Sequence, residues 1–114
     1  MEDTSFQVMN KNNVAADVSV RNNRVYIKHY DPVKFHCLFP WEETDVFSML
    51  EILEGRCFPR NRANIDELLS AMGLKEYQVM DIIKKTHGLK WDDYTWIRFE
   101  GENLTYEDIK IRED

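Results

Sequence analysis

The side chains best suited to hold a metal or attack an electrophile are Cys37, Cys57, His29, His36 and His87. A structural zinc site needs paired ligands at short, regular spacing, because one tetrahedral ion draws donors from a single turn or knuckle. No such C-x-x-C or H-x-x-x-H spacing occurs, and the adjacent His36 and Cys37 do not reproduce it. Nucleophilic catalysis needs a nucleophile, a base and an orienting group that meet in space. The residue types are present, but no G-x-S-x-G, P-loop or G-x-G-x-x-G frames them. Asp92 and Asp93 are adjacent, so on a strand they point to opposite faces and cannot act as a facing acid–base pair. The chain is expected to be no enzyme and to hold no metal and no cofactor.

Charge and aromatic content point instead to binding. The formal charge is −6, and residues 91–114 carry 3 basic and 8 acidic side chains. Such a balance disfavours direct nucleic-acid binding, which rests on neutralising phosphates. It suits occupation of a basic groove on another protein, although plain solvation of an acidic tail explains the same composition. Trp91, Tyr94 and Trp96 interleave with Asp92 and Asp93, and tryptophan and tyrosine are favoured interface anchors. Strand alternation places Tyr94 and Trp96 on one face, so at least one belongs to the core, and Trp91 is the better exposed anchor. The candidate partner-binding residues are Trp91, Asp92, Asp93, Glu100, Glu102, Glu107 and Asp108.

Arg56, Arg60 and Arg62 cluster around Pro59. They suit bidentate capture of a carboxylate or phosphate, but pairing with Glu54, Asp66 or the acidic C-terminal segment is the favoured reading.

These residues need a scaffold, and the pattern supplies an α+β one of a single domain, 1–114. Val14, Ala16, Val18 and Val20 alternate with Ala15, Asp17 and Ser19, which predicts a strand with one buried face. Asn22-Asn23 turns it into a second strand, Arg24–Tyr30, ended by Asp31-Pro32. Ser5 to Met9 alternates as well, so a hairpin or three-stranded meander is expected. Val33 to Glu43, with Phe35, Phe39 and Trp41, reads as aromatic cover for a core. Thr44 or Asp45 caps a helix through Val46, Met49, Leu50 and Leu53, which Gly55 ends as a left-handed residue. A second helix is expected from about Arg62 to Met72, capped by Asn61 or Asn64, and a third from about Lys75 to Thr86, closed by His87-Gly88. Tyr94–Phe99 then reads as a late strand joining the sheet. Thr105 with Asp108 starts a helical turn, and Ile109 and Ile111 anchor the tail. Val18, Val20, Val25, Ile27, Leu50, Leu53, Leu68, Leu69, Ile83 and Ile97 are expected in one core.

The second and third helices, joined at Met72-Gly73-Leu74, also suggest a helix-turn-helix with Lys75, Gln78, Lys84 and Lys85 towards DNA. Leu69, where that motif wants a small residue, and the acids Glu76 and Asp81 count against it.

GRCFPRNRANIDELLSAMGL, the glycine-leucine after the third helix, and DDYTWIRFEGENLTYEDIKI together resemble an N-terminal accessory module of some bacterial HipA-like kinases. The residues that carry the resemblance are Gly55, Arg56, Pro59, Arg62, Gly88, Leu89, Asp93, Trp96, Ile97, Arg98, Gly101, Leu104, Tyr106, Glu107, Asp108 and Ile109, with Thr95 as an interruption. The kinase's nucleotide-binding and catalytic segments have no counterpart, so no kinase residue carries over. A free-standing accessory module is similar, by size and charge alone, to small mobile-element inhibitors such as anti-CRISPR proteins. The expected function is a non-enzymatic protein-binding regulator, an inhibitor of a bacterial nucleic-acid-handling complex that uses an acidic surface. The alternatives are an antitoxin-like partner of a HipA-type kinase and a small DNA-binding helix-turn-helix. Two unpatterned cysteines, no leader-like start and no long apolar run lead to an expected cytoplasmic, membrane-free location.

Overall fold

The computed structural model describes residues 1–30, 38–39, 44–90 and 93–110. Four strands form one antiparallel sheet: β1 (Thr4–Asn10), β2 (Asn13–Arg21), β3 (Arg24–His29) and β4 (Thr95–Phe99), in the order β3-β2-β1-β4. The helices are α1 (Val46–Glu54), α2 (Ile65–Ala71), α3 (Val79–Thr86) and α4 (Tyr106–Ile109). The hairpin, the meander and the late strand are formed as the alternation implies. Asn22 and Asn23 take φ of 51° and 63°, the left-handed pair that a tight turn between twisted strands requires.

One face of the sheet carries Phe6, Val8, Ala16, Val18, Val20 and Ile97, which pack with Met49 and Leu53 of α1 and Val79 and Ile83 of α3. Phe39 is buried in the same cluster, its ring tilted 6.4 Å from that of Phe6, as the aromatic-cover reading expects. Phe35, Trp41, Asp31-Pro32 and Ile111 lie outside the described residues.

Val14 does not share the face of Ala16, Val18 and Val20. The register runs Val8↔Ala16 and then Met9↔Val14, so Ala15 is an unpaired bulge residue. A bulge shifts the period of two by one residue. Val14 therefore joins Met9, Trp96 and Tyr106 in a second apolar cluster, where Leu89, Tyr94 and Leu104 also pack. Val18, Val20, Val25, Ile27, Leu50, Leu53, Ile83 and Ile97 do share the main cluster as expected, and this second cluster adds to it among the described residues.

Helix α1 has its expected extent, whereas α2 and α3 start later than expected. Arg62 N–H donates to Pro59 O and Ile65 N–H to Arg62 O, so a loop of tight turns precedes α2. Asn64 stands at its N-cap without a side-chain cap. Of the expected buried residues of α2 only Leu69 is buried, and it and Leu68 belong to neither cluster. Before α3, Tyr77 donates its hydroxyl to Phe58 O at 2.7 Å and meets the Phe58 ring edge-on. That anchor holds the chain extended through Gln78, so α3 begins at Val79. The connection from α2 therefore runs from Met72 to Gln78, longer than the roughly 3–4-residue turn of a helix-turn-helix. Asp45 caps α1, accepting Ser48 N–H at 2.7 Å. Gly55 at its end is right-handed (φ −63°), not left-handed, because the chain tightens there into bonds from Gly55 and Arg56 back to Ile52 and Leu53.

A candidate docking surface

The C-terminal acidic residues divide by what they already hold. Arg56 donates from Nη1 and Nη2 to the two carboxylate oxygens of Asp93 at 2.7 and 2.9 Å. The same guanidinium donates to Gly88 O and Thr95 O, both at 2.8 Å. Asp93 also accepts Thr95 N–H. Burial alone raises the Asp93 carboxyl, but the hydrogen bonds and charge of Arg56 outweigh it and hold the group below the ordinary aspartate value. This staple ties the end of α1 to the end of α3 and the start of β4. Gly88 permits it through its φ of +64°, a left-handed conformation that residues with a Cβ seldom adopt.

Glu102 has both oxygens occupied. Oε1 accepts Phe99 N–H at 2.7 Å, and Oε2 lies 2.9 Å from His87 Nε2. His87 is left-handed at the end of α3 and accepts Ile97 N–H on its carbonyl. Asp108 accepts the Thr105 backbone N–H at 2.7 Å in the capping box of α4, and those bonds lower its pKa. Glu107 pairs with Lys110 at 2.9 Å. Trp96 is fully buried, its indole donating to Lys11 O at 2.7 Å. Glu100 is exposed, and Trp91 and Asp92 lie outside the described residues. Among the candidate residues, Asp93, Glu102 and Asp108 thus serve the fold first. Arg56 and Arg60 of the arginine cluster behave as its favoured reading expects, Arg56 on Asp93 and Arg60 on Glu54, each at 2.7 Å.

Tertiary structure also gathers acids that are distant in sequence. Strand β1 begins where β4 ends, Phe6 pairing with Phe99. A groove there of about 450 Å³ is bordered by Asp3, Lys84, Glu100 and Glu102. A second groove of about 490 Å³, between the start of β1 and α1 and α3, is bordered by Glu2, Asp3, Asp81 and Lys84. Five carboxylates therefore stand along the two grooves against one lysine and the Met1 ammonium. Glu2, Asp3 and Asp81 were not signalled by the C-terminal charge run; the β1–β4 pairing brings Glu2 and Asp3 to it, and the packing of α3 on the sheet brings Asp81.

The open face of the sheet is polar and internally satisfied. Arg98 donates to Gln7 Oε1, Gln7 Nε2 to Asp17 Oδ1, and Tyr30 OH to Asp17 Oδ2, a chain of bonds running across the strands. Among the described residues no three His, Cys, Asp or Glu side chains converge as a metal site. Cys57 is a poor nucleophile, because burial pushes its thiol up to about 11. No described helix is long and apolar enough to cross a membrane. No protein-family model, no curated protein and no solved structure matches this chain.

Proposed function

We propose that this protein is a non-enzymatic, protein-binding regulator that presents an acidic wall to a basic groove of a bacterial nucleic-acid-handling complex and so inhibits it. The observation that carries the reading is the gathering of Glu2, Asp3, Asp81, Glu100 and Glu102 around the start of β1, where they outnumber Lys84, Arg21 and the Met1 ammonium. Concentrated charge of one sign raises encounter rates with an oppositely charged cleft. The wall excludes nucleic acid by the same sign, which fits a competitor for a nucleic-acid site.

Competition is the test. Purified protein is added to bacterial nucleic-acid-handling complexes, RNA-guided nucleases first, and loss of nucleic-acid binding is scored against salt. The variant Asp3→Asn/Asp81→Asn/Glu100→Gln should associate more slowly and show weaker salt dependence. Inhibition that this variant delivers unchanged at low salt sinks the acidic-wall reading.

The kinase-partner reading has one observation in its favour. Arg56, Gly88 and Asp93, which carry that resemblance, meet in a single staple. Because that staple holds the fold together, the shared pattern supports a shared scaffold more than a shared partner.

A further inference from the structure

We infer that the groove between the start of β1 and helices α1 and α3 seats a partner segment whose apolar anchor side chains are flanked by lysine or arginine. The inference rests on the protein-binding reading above and names the surface and the chemistry of the segment. The floor of the groove is apolar: Val46 and Leu50 of α1, Met80 of α3, and Met1. Val46, Leu50 and Met80 pack against the main core yet are only partly buried, so part of each faces the groove. Met1 is 42% exposed. Methionine is unbranched and polarisable, which suits a floor that must accommodate a side chain arriving from outside. A volume of about 490 Å³ lies in the range of about 300–1,000 Å³ typical of ligand pockets.

The rim decides the sign of the occupant. Glu2, Asp3 and Asp81 border the apolar floor and outnumber the opposing charges of Lys84 and the Met1 ammonium, the latter bonded to Asn23 Oδ1. An acidic segment or a phosphate backbone would meet like charge at a partly desolvated margin, whereas lysine or arginine beside the anchor meets its complement. Continuity strengthens the assignment. Asp3, Thr4 and Lys84 also border the neighbouring groove that reaches Glu100 and Glu102. A basic segment leaving the apolar floor therefore passes a second pair of carboxylates.

The probe is a short fluorescein-labelled peptide alternating leucine and lysine, compared with a serine–lysine peptide and a leucine–glutamate peptide by fluorescence anisotropy on the intact protein. The leucine–lysine peptide should bind at least about tenfold more tightly than either control, since anchors in a pocket carry most of the affinity. Met80→Gln and Asp81→Lys should each weaken it several-fold with unchanged circular dichroism. Phe47→Ser, on α1 but outside the groove and 71% exposed in the wild type, should leave it unchanged. Equal loss in Phe47→Ser would reveal unspecific apolar adhesion and overturn the assignment. So would equal binding of the serine–lysine peptide. Concentration-dependent dimerisation abolished by Met80→Gln, read by sedimentation, would overturn it in favour of a second copy of this chain. If no peptide binds while the protein still competes with nucleic acid, the groove assignment fails and the acidic-wall reading stands. If the peptide binds but competition is absent, the groove stands and the inhibitory role fails.

Discussion

Arg56 and Asp93, separated by 37 positions in sequence, share two parallel charge-assisted hydrogen bonds of 2.7 and 2.9 Å. The arginine side chain is 8% exposed and the aspartate 38%, so the pair is buried from one side only. Two carbonyls, Gly88 O and Thr95 O, take two more of the arginine's donors. The guanidinium thus satisfies two backbone acceptors and the charge of Asp93 at one point where α1, α3 and β4 meet.

Removing that guanidinium leaves those acceptors and a carboxylate without their donor. Arg56→Ala should therefore lower unfolding free energy by about 2–4 kcal/mol, below the top of the range for fully buried pairs because water screens Asp93. Arg56→Lys should rescue little, since an ammonium lacks the planar fork that reaches both carboxylate oxygens and both carbonyls. Urea denaturation checks both. A loss below about 0.5 kcal/mol for Arg56→Ala, the size of an ordinary surface change, would show that the staple is ornamental.

The staple also has a pH signature. The folded-state pKa of Asp93 is lowered, so its contribution is fully present above the unfolded aspartate value and is lost as pH falls through the folded one. Asp45 and Asp108, whose pKa values are lowered by cap hydrogen bonds, have the same sign. Melting temperature should fall as pH drops below about 4, and Asp93→Asn should flatten part of that slope while lowering the neutral-pH melting point. An identical acid slope in Asp93→Asn and wild type would remove Asp93 from this account.

Trp96 shows how the second cluster is held. Its ring is fully buried, meets His87 edge-on and donates to Lys11 O, in the turn where Lys11 N–H reaches Tyr94 O and Asn12 Oδ1 accepts Tyr106 N–H. Trp96→Ala should cost about 3–5 kcal/mol and Trp96→Phe about 1–3 kcal/mol, the smaller loss reflecting the lost volume and the orphaned carbonyl. Differential scanning calorimetry measures both. Near-equal losses would mean that the indole hydrogen bond and the extra ring volume dominate over burial of the aromatic body.

What the sequence made legible was mostly local. The Asn22-Asn23 turn, the alternation of β2 and β3, the Asp45 cap and the Thr105–Asp108 box all depend on residues within a few positions of one another. What it hid was set by tertiary contact. The bulge at Ala15 is silent because Ala15 and Ala16 are interchangeable in hydropathy, and only the pairing with β1 distinguishes them. Tyr77 reads as helical until Phe58 captures its hydroxyl. The acidic C-terminal segment was legible as a partner for the arginine cluster, but not Asp93 as the residue chosen. Glu2, Asp3 and Asp81 remained separate from Glu100 because only the β1–β4 pairing and the packing of α3 on the sheet unite them.

Glu100 and Glu102 separate acids of the surface from acids of the fold. Both border the same groove, but Glu102 caps Phe99 N–H and meets His87, whereas Glu100 is exposed. Glu102→Ala should destabilise by about 1–2 kcal/mol through the uncapped amide, and Glu100→Ala by less than about 0.5 kcal/mol. Each removes one negative charge from the same place, so each should reduce the on-rate for a basic partner to a similar extent, with a shallower salt dependence. Stopped-flow association and urea denaturation on the two variants resolve the point. Equal stability losses would mean the Glu102 bonds contribute nothing. Unequal on-rates, with Glu100 inert, would shift the docking surface away from the end of β4 and onto the apolar groove rimmed by Glu2, Asp3 and Asp81.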